Sequence, residues 1–209
     1  MLDKGPLPNP GGSTGHASNF IFPVDHSKEM TALTVESIKT FSDLGVFTGP
    51  GGIEIARTEE RMQELTRRLT SAKAWGVPGE LITPEQVKEK VPFINATLVK
   101  GGFWSPTAGV VDPLQAGTLM REHAQKVGSL RSVHANVEIT DIDVQAGRVC
   151  GLDTDHGYIS VEYVLIACGV WSPRLAAMAG AQIPLTPMVH QFVTVGPISI
   201  FERSQGEIE

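Results

Sequence analysis

The segment Tyr163-Val164-Leu165-Ile166-Ala167-Cys168 is apolar without a break, and Gly169 follows it directly. Ser172-Pro173 then opens a helix-like stretch. A run this short and this apolar predicts a strand covered on both faces, as in a sheet flanked by helices. A buried strand that ends in glycine and turns into a helix is a favoured place for a nucleotide, because glycine lets the backbone approach the ligand. From the pattern alone, the turn can equally be a simple connection between elements.

The rest of the chain reads as alternating helices and short strands. Ser27 is placed to cap a helix over residues 27–44. Met30, Leu33, Ile38, Phe41 and Leu44 recur at near-helical spacing, and Gly45 stops it. Residues 51–56 predict a strand after a glycine turn. Thr58 predicts a second cap, with Glu59 and Glu60 in the first turn and Met62, Leu65 and Leu69 on one face. Thr83-Pro84-Glu85-Gln86 has the residues of a capping box with proline at the first helical position. Residues 101–104 read as a strand, and Asp112-Pro113 opens a helix that ends at Gly128. Residues 137–144, 148–153 and 158–169 predict an antiparallel meander, separated by Gly147 and by Asp155-His156-Gly157. Residues 5–15 are nearly all turn formers and predict a loop.

Composition narrows the function classes. The 209 residues suffice for one domain or parts of two, and 41% of them are hydrophobic, enough for a packed core. The net charge of −6 comes without a basic stripe, which argues against nucleic acid as a partner. No apolar run approaches the length of a membrane span or a signal peptide. Cys150 and Cys168 stand apart in apolar strand-like runs and predict buried free thiols. These features together predict a soluble intracellular protein, cytoplasmic or, in a eukaryote, of the mitochondrial matrix. His26, His123, His134 and His156 form no HxxxH or HExxH pair, so no metal site is expected. Nothing in the residues sets the oligomeric state.

Several stretches resemble one family. Residues 2–7, then Gly11-Gly12-Ser13-Thr14-Gly15-His16-Ala17, are similar to the dimethylglycine oxidase, dimethylglycine dehydrogenase and sarcosine dehydrogenase group. That group lies within the D-amino-acid-oxidase-like flavoproteins. The resemblance continues through residues 51–56, Ala74-Trp75-Gly76, Ser105-Pro106, residues 109–113 and residues 167–172. It reaches Pro184-Leu185 and His190-Gln191-Phe192, and so covers the chain to about residue 195. The GGSTxHA stretch is its most specific piece. The chain departs from the family in having no GxGxxG turn anywhere, the element that seats a dinucleotide pyrophosphate on a helix N-terminus. Against the family pattern, the chain begins at the end of the second strand and stops short of the full catalytic domain and the folate-binding region. Residues 196–209 match poorly and read as a tail.

The resemblance implies a mixed α/β fold: part of an FAD-binding Rossmann-like domain with a β-meander, plus part of an antiparallel-sheet substrate domain. The FAD-binding parts fall at residues 1–45 and 130–183, and the substrate-domain parts at 46–129 and 184–195. It implies FAD as cofactor, attached covalently through His16, with tetrahydrofolate used only in a full-length relative. Asp3 matches the carboxylate that binds the adenosine ribose, Val137 a backbone contact to adenine, and Gly169 and Trp171 a second turn against the dinucleotide. His190 matches an active-site histidine that takes the ammonium proton of the substrate. The implied reaction is oxidation of an N-methylated glycine, dimethylglycine or sarcosine, to an iminium, with this chain a fragment expected to be inactive alone. The residues by themselves leave blander roles open: a terminal charge at Asp3, an exposed loop histidine at His16, core packing at Val137 and Trp171, and a satisfied strand histidine at His190. A truncated chain with no competent cofactor site, or a subunit completed by another chain, is the alternative function.

Overall fold

Hydroxyl side chains start the helices where the sequence places them. In the computed structural model, which describes residues 1–16, 19–189, 191, 193 and 196–199, helix α1 spans Lys28–Asp43. The Ser27 hydroxyl accepts the Met30 N–H at 3.1 Å, satisfying one of the donors a helix start leaves unpaired. Thr58 does the same for Arg61 at 3.2 Å ahead of α2 (Glu59–Ala74). Before α3 (Pro84–Lys90) the exchange is reciprocal. The Thr83 hydroxyl accepts the Gln86 backbone N–H at 3.3 Å, and the Gln86 side-chain oxygen Oε1 accepts the Thr83 backbone N–H at 2.8 Å. Helices α4 (Pro113–Lys126) and α5 (Ser172–Met178) follow. Gly45 and Gly128 stand just beyond α1 and α4 with φ of 73° and 77°, the left-handed conformation that ends a helix.

The chain divides into two compact units. One consists of residues 18–112 with 194–209. Its larger sheet has β3 (Gly52–Ala56), β4 (Glu80–Ile82) and β5 (Gly101–Ser105) in the order β3-β5-β4, all antiparallel. Apolar residues of α2 cover it: Leu65 and Ala72 are fully buried against Ala56, Val77 and Phe103, with Met62 and Leu69 packed alongside. Glu54 of β3 pairs with Arg61 at 2.6 Å and with Arg68, which ties the polar edge of α2 to the same sheet. A second small sheet joins β1 (Phe20–Ile21), β2 (Phe47–Thr48) and β6 (Gly109–Val111) in the order β1-β6-β2. The face of α1 differs from the predicted one. Thr31 is its buried residue, with its hydroxyl accepting the Asp25 N–H at 3.1 Å, while Met30 and Leu33 are exposed.

The other unit consists of residues 1–17 with 113–193. Strands β7 (Ile139–Gln145), β8 (Arg148–Thr154) and β9 (Gly157–Ser160) form the predicted antiparallel meander. The β7–β8 hairpin turns through Ala146 and Gly147 with φ of 50° and 78°, the paired positive values of the tight turn that suits strand twist. The N-terminus lies parallel to residues near 134. Asp3 donates its N–H to the His134 carbonyl at 2.9 Å, and His134 donates to the Met1 carbonyl at 3.0 Å.

One prediction fails here. Residues 163–168 do not form a strand covered on both faces. They have no strand partner among the described residues, and Tyr163 and Leu165 are 90% and 91% exposed. A central strand needs a neighbour on each edge to satisfy its backbone groups. No described segment supplies one. The thiols follow suit: Cys168 is exposed and Cys150 half-buried, so the expectation of two buried thiols is corrected.

Candidate cofactor site

The glycine-rich N-terminal loop is a folded object. Its residues 13–15 make one turn of 3₁₀ helix, closed by the His16 N–H donating to the Ser13 carbonyl at 3.1 Å. The imidazole of His16 stands at the exposed end of that turn. Residues 169–171 make a second 3₁₀ turn, in which Gly169 has a φ of 51°. The two turns meet. A Cβ built on Gly12 would lie 3.6 Å from the indole ring of Trp171, an ordinary van der Waals approach. The loop that carries His16 and the turn that follows the apolar segment therefore share one face of this unit.

Asp3 and Val137 are also brought together. Val137 donates its N–H to the Asp3 carbonyl at 3.0 Å, while one Asp3 carboxylate oxygen accepts the Gly5 N–H at 2.8 Å. The Asn136 N–H donates to the Gly5 carbonyl at 3.2 Å, and Lys4 pairs with Glu138 at 2.8 Å. A stretch near residue 135 thus zips onto the first five residues, through contacts more than 130 residues apart in the chain. All five of the predicted cofactor residues fall into two pairs of neighbouring segments: Asp3 with Val137, and the His16 loop with Trp171 and Gly169. His190 lies outside the described residues.

These residues suit a flavin dinucleotide. The carboxylate of Asp3 offers acceptors of the kind ribose hydroxyls need, fixed in direction by the Gly5 N–H. A side chain at Gly11 or Gly169 would meet nothing within 4 Å, so both turns present bare backbone to open space. Trp171, 54% exposed, offers a flat apolar ring beside Gly12. The glycine-rich pyrophosphate turn is the part this sequence does not contain.

Sequence reasoning missed Asn9. Its carboxamide oxygen accepts the Gly11 N–H at 3.3 Å inside the His16 loop. The available signal was an Asn two residues before a glycine, the pattern of a side chain that imitates a backbone turn. Elsewhere the polar chemistry is ordinary. On the meander, the Tyr158 hydroxyl donates to Asp143 at 2.9 Å, and this bond pushes the phenol above its usual range. The His156 ring, 2.8 Å from Asp155, holds that carboxyl below its usual range. Among the described residues no group of His, Cys, Asp and Glu is placed to hold a metal ion, and no helix is long and apolar enough to cross a membrane. A cavity of about 580 Å³ lies in the other unit, lined by Thr31, Val35, Ile38, Trp75 and Pro78 among others, and no predicted site residue borders it.

A family model described as FAD dependent oxidoreductase matches residues 1–207. Human mitochondrial sarcosine dehydrogenase is 31% identical over 208 residues, which is 93% of this chain and 22% of that protein. Human mitochondrial dimethylglycine dehydrogenase is 28% identical over 215 residues, all of this chain and 24% of that protein. Among solved structures, L-proline dehydrogenase from P. horikoshii superposes with a TM-score of 0.74 at 25% identity, over 81% of this chain and 46% of that one. The chain thus spans under a quarter of the length of these curated relatives. With its match running over nearly every residue, its mixed α/β architecture and its similarity to sarcosine and dimethylglycine dehydrogenases, the chain belongs to the D-amino-acid-oxidase-like family of FAD-dependent oxidoreductases.

Proposed function

We propose that this chain forms part of an oxidoreductase that takes an N-methylated glycine, dimethylglycine or sarcosine, to an iminium with FAD held covalently at His16. The observation that carries this reading is the approach of Gly12 to Trp171, which puts the His16 loop and the Gly169 turn on one face. FAD supplies the two-electron acceptor for the carbon next to nitrogen. The chain's own residues bind and orient. Asp3 takes the ribose hydroxyls, the backbone at Val137 borders the adenine, and Gly169 with Trp171 backs the dinucleotide. His16 would hold the ring through a bond from an imidazole nitrogen to the flavin 8α-methyl carbon. Forming that bond would release the C–H and N–H protons and two electrons, with dioxygen as the final acceptor. A neutral imidazole is the nucleophile this needs.

His190 takes the substrate ammonium proton, leaving the amine neutral for oxidation. Hydrolysis of the iminium releases formaldehyde. Transfer to tetrahydrofolate belongs to a full-length relative. The test is direct: chain loaded with FAD is given dimethylglycine or sarcosine in air, and formaldehyde is measured. Formaldehyde above the level of a His190→Ala variant supports the reading, and a chain that takes up no FAD and forms no formaldehyde counts against it. A second reading, a chain with no catalytic role or a subunit completed by another polypeptide, is favoured by the exposed segment at 163–168 and by the lack of a GxGxxG turn. Under that reading the chain takes up no FAD by itself.

A further inference from the structure

We infer that Asn9 is the positioning residue of the His16 loop, holding its 3₁₀ turn in the shape that aims the imidazole at a bound flavin. The inference deepens the reading of His16 as the attachment residue and rests on it. Two independent contacts meet at one side chain. The Asn9 carboxamide oxygen accepts the Gly11 N–H at 3.3 Å, which closes the loop at its entry. The same oxygen lies 2.9 Å from where a Cβ on Gly15 would stand, with the carboxamide carbon at 3.6 Å, so the side chain also braces the residue next to His16. Trp171 stands on the other side, 3.6 Å from the Gly12 Cβ position. The loop is thus held between a polar strut within it and an apolar wall beside it. Only the strut belongs to the same loop as His16.

The chemistry explains why the strut matters. Glycines at 11, 12 and 15 leave this backbone with more freedom than any other composition would. An attacking nitrogen must stand within near-contact distance of its carbon, and a misplacement of about 1 Å costs roughly 100-fold in rate. Asn9 removes freedom from the loop through its bond to the Gly11 N–H. Asp at this position retains the acceptor oxygen, whereas Ala does not.

The test compares Asn9→Ala, Asn9→Asp and the unaltered chain, each produced with FAD. Two quantities are read: the rate at which flavin becomes resistant to denaturation, and amide hydrogen exchange at Gly11. Circular dichroism and the urea midpoint are expected to be unchanged. The inference requires attachment about 10- to 100-fold slower in Asn9→Ala, faster Gly11 exchange, and both restored in Asn9→Asp. Attachment at the unaltered rate in Asn9→Ala overturns it. So does equal failure of Ala and Asp, since the acceptor oxygen would then not be the agent. If the unaltered chain binds FAD yet never attaches it, the His16 reading itself has failed, and this inference fails with it. That result is distinct from a defect confined to the Asn9 variants.

Discussion

Phe103 sits at the centre of the unit that carries α2, and its removal gives a quantitative test of that core. Its ring is fully buried between Leu65, Ala56 and Val77 and packs at 5.8 Å on Phe22. Gly79 lies so close that a Cβ there would stand 2.6 Å from the ring. Little can move in to fill the space, so Phe103→Ala falls in the usual range for a large buried aromatic, about 3–5 kcal/mol. Small domains are stable by only about 5–15 kcal/mol. With a urea slope of about 2 kcal/mol per molar, the midpoint drops by about 1.5–2.5 M. Trp75 packs against the same cluster and reports the transition by fluorescence. Phe103→Leu retains most of the volume and keeps the experiment readable if the alanine variant does not fold, with an expected loss of roughly 1–2 kcal/mol. Met120, half exposed on α4 in the other unit, is the control, and Met120→Ala stays within about 0.5 kcal/mol. A shift below 0.3 kcal/mol per variant, that is about as small as the control, for both Phe103 variants would refute the packing argument.

Other outcomes follow from particular contacts. Thr83→Ala removes the acceptor for the Gln86 N–H and half of a reciprocal cap, and lowers stability by about 1 kcal/mol in urea unfolding. Gly109→Ala drives a Cβ into the Thr48 carbonyl across the β2–β6 pair, so soluble yield and melting temperature fall, whereas Gly117→Ala on α4 leaves both unchanged or raised. Asp155 has its carboxyl held below the ordinary 3.8, first by the hydrogen bond with His156. A depressed folded pKa means a contribution present above 3.8 and lost as pH falls through the lower folded value. His156→Ala therefore narrows the difference in urea midpoint between pH 5 and pH 2.5 (about the carboxylate range), and an unchanged difference would show that the pair does not act on stability.

Most of the helical framework was legible because its signals are local. Ser27, Thr58 and Thr83 cap helices through residues three positions away, a relation that needs no tertiary context. The face of α2 was legible for the same reason. What escaped was set at long range. The strands Phe20–Ile21 and Phe47–Thr48 are two residues each and exist because both pair with Gly109–Val111. The face of α1 turns on Thr31 meeting Asp25, which no hydrophobic count detects. Residues 163–168 have the composition of a central strand, but composition cannot provide the neighbours that make it one. At the site, His16 and the Gly169 turn were identified as residues from the motif they resemble. That Gly12 lies beside Trp171, and that Asn9 stands over Gly15, became visible only with the backbone in place.

The account turns on whether one flavin spans the two glycine turns, and peptide mass measurement reads this without any assay of turnover. The chain is produced with FAD, denatured and digested, and the peptide carrying His16 is weighed and fragmented. A mass increased by one flavin, localised to the His16 ring and lost in His16→Ala, is the predicted result. Flavin that washes away from the denatured chain, or that stays bound when His16 is alanine, would contradict it.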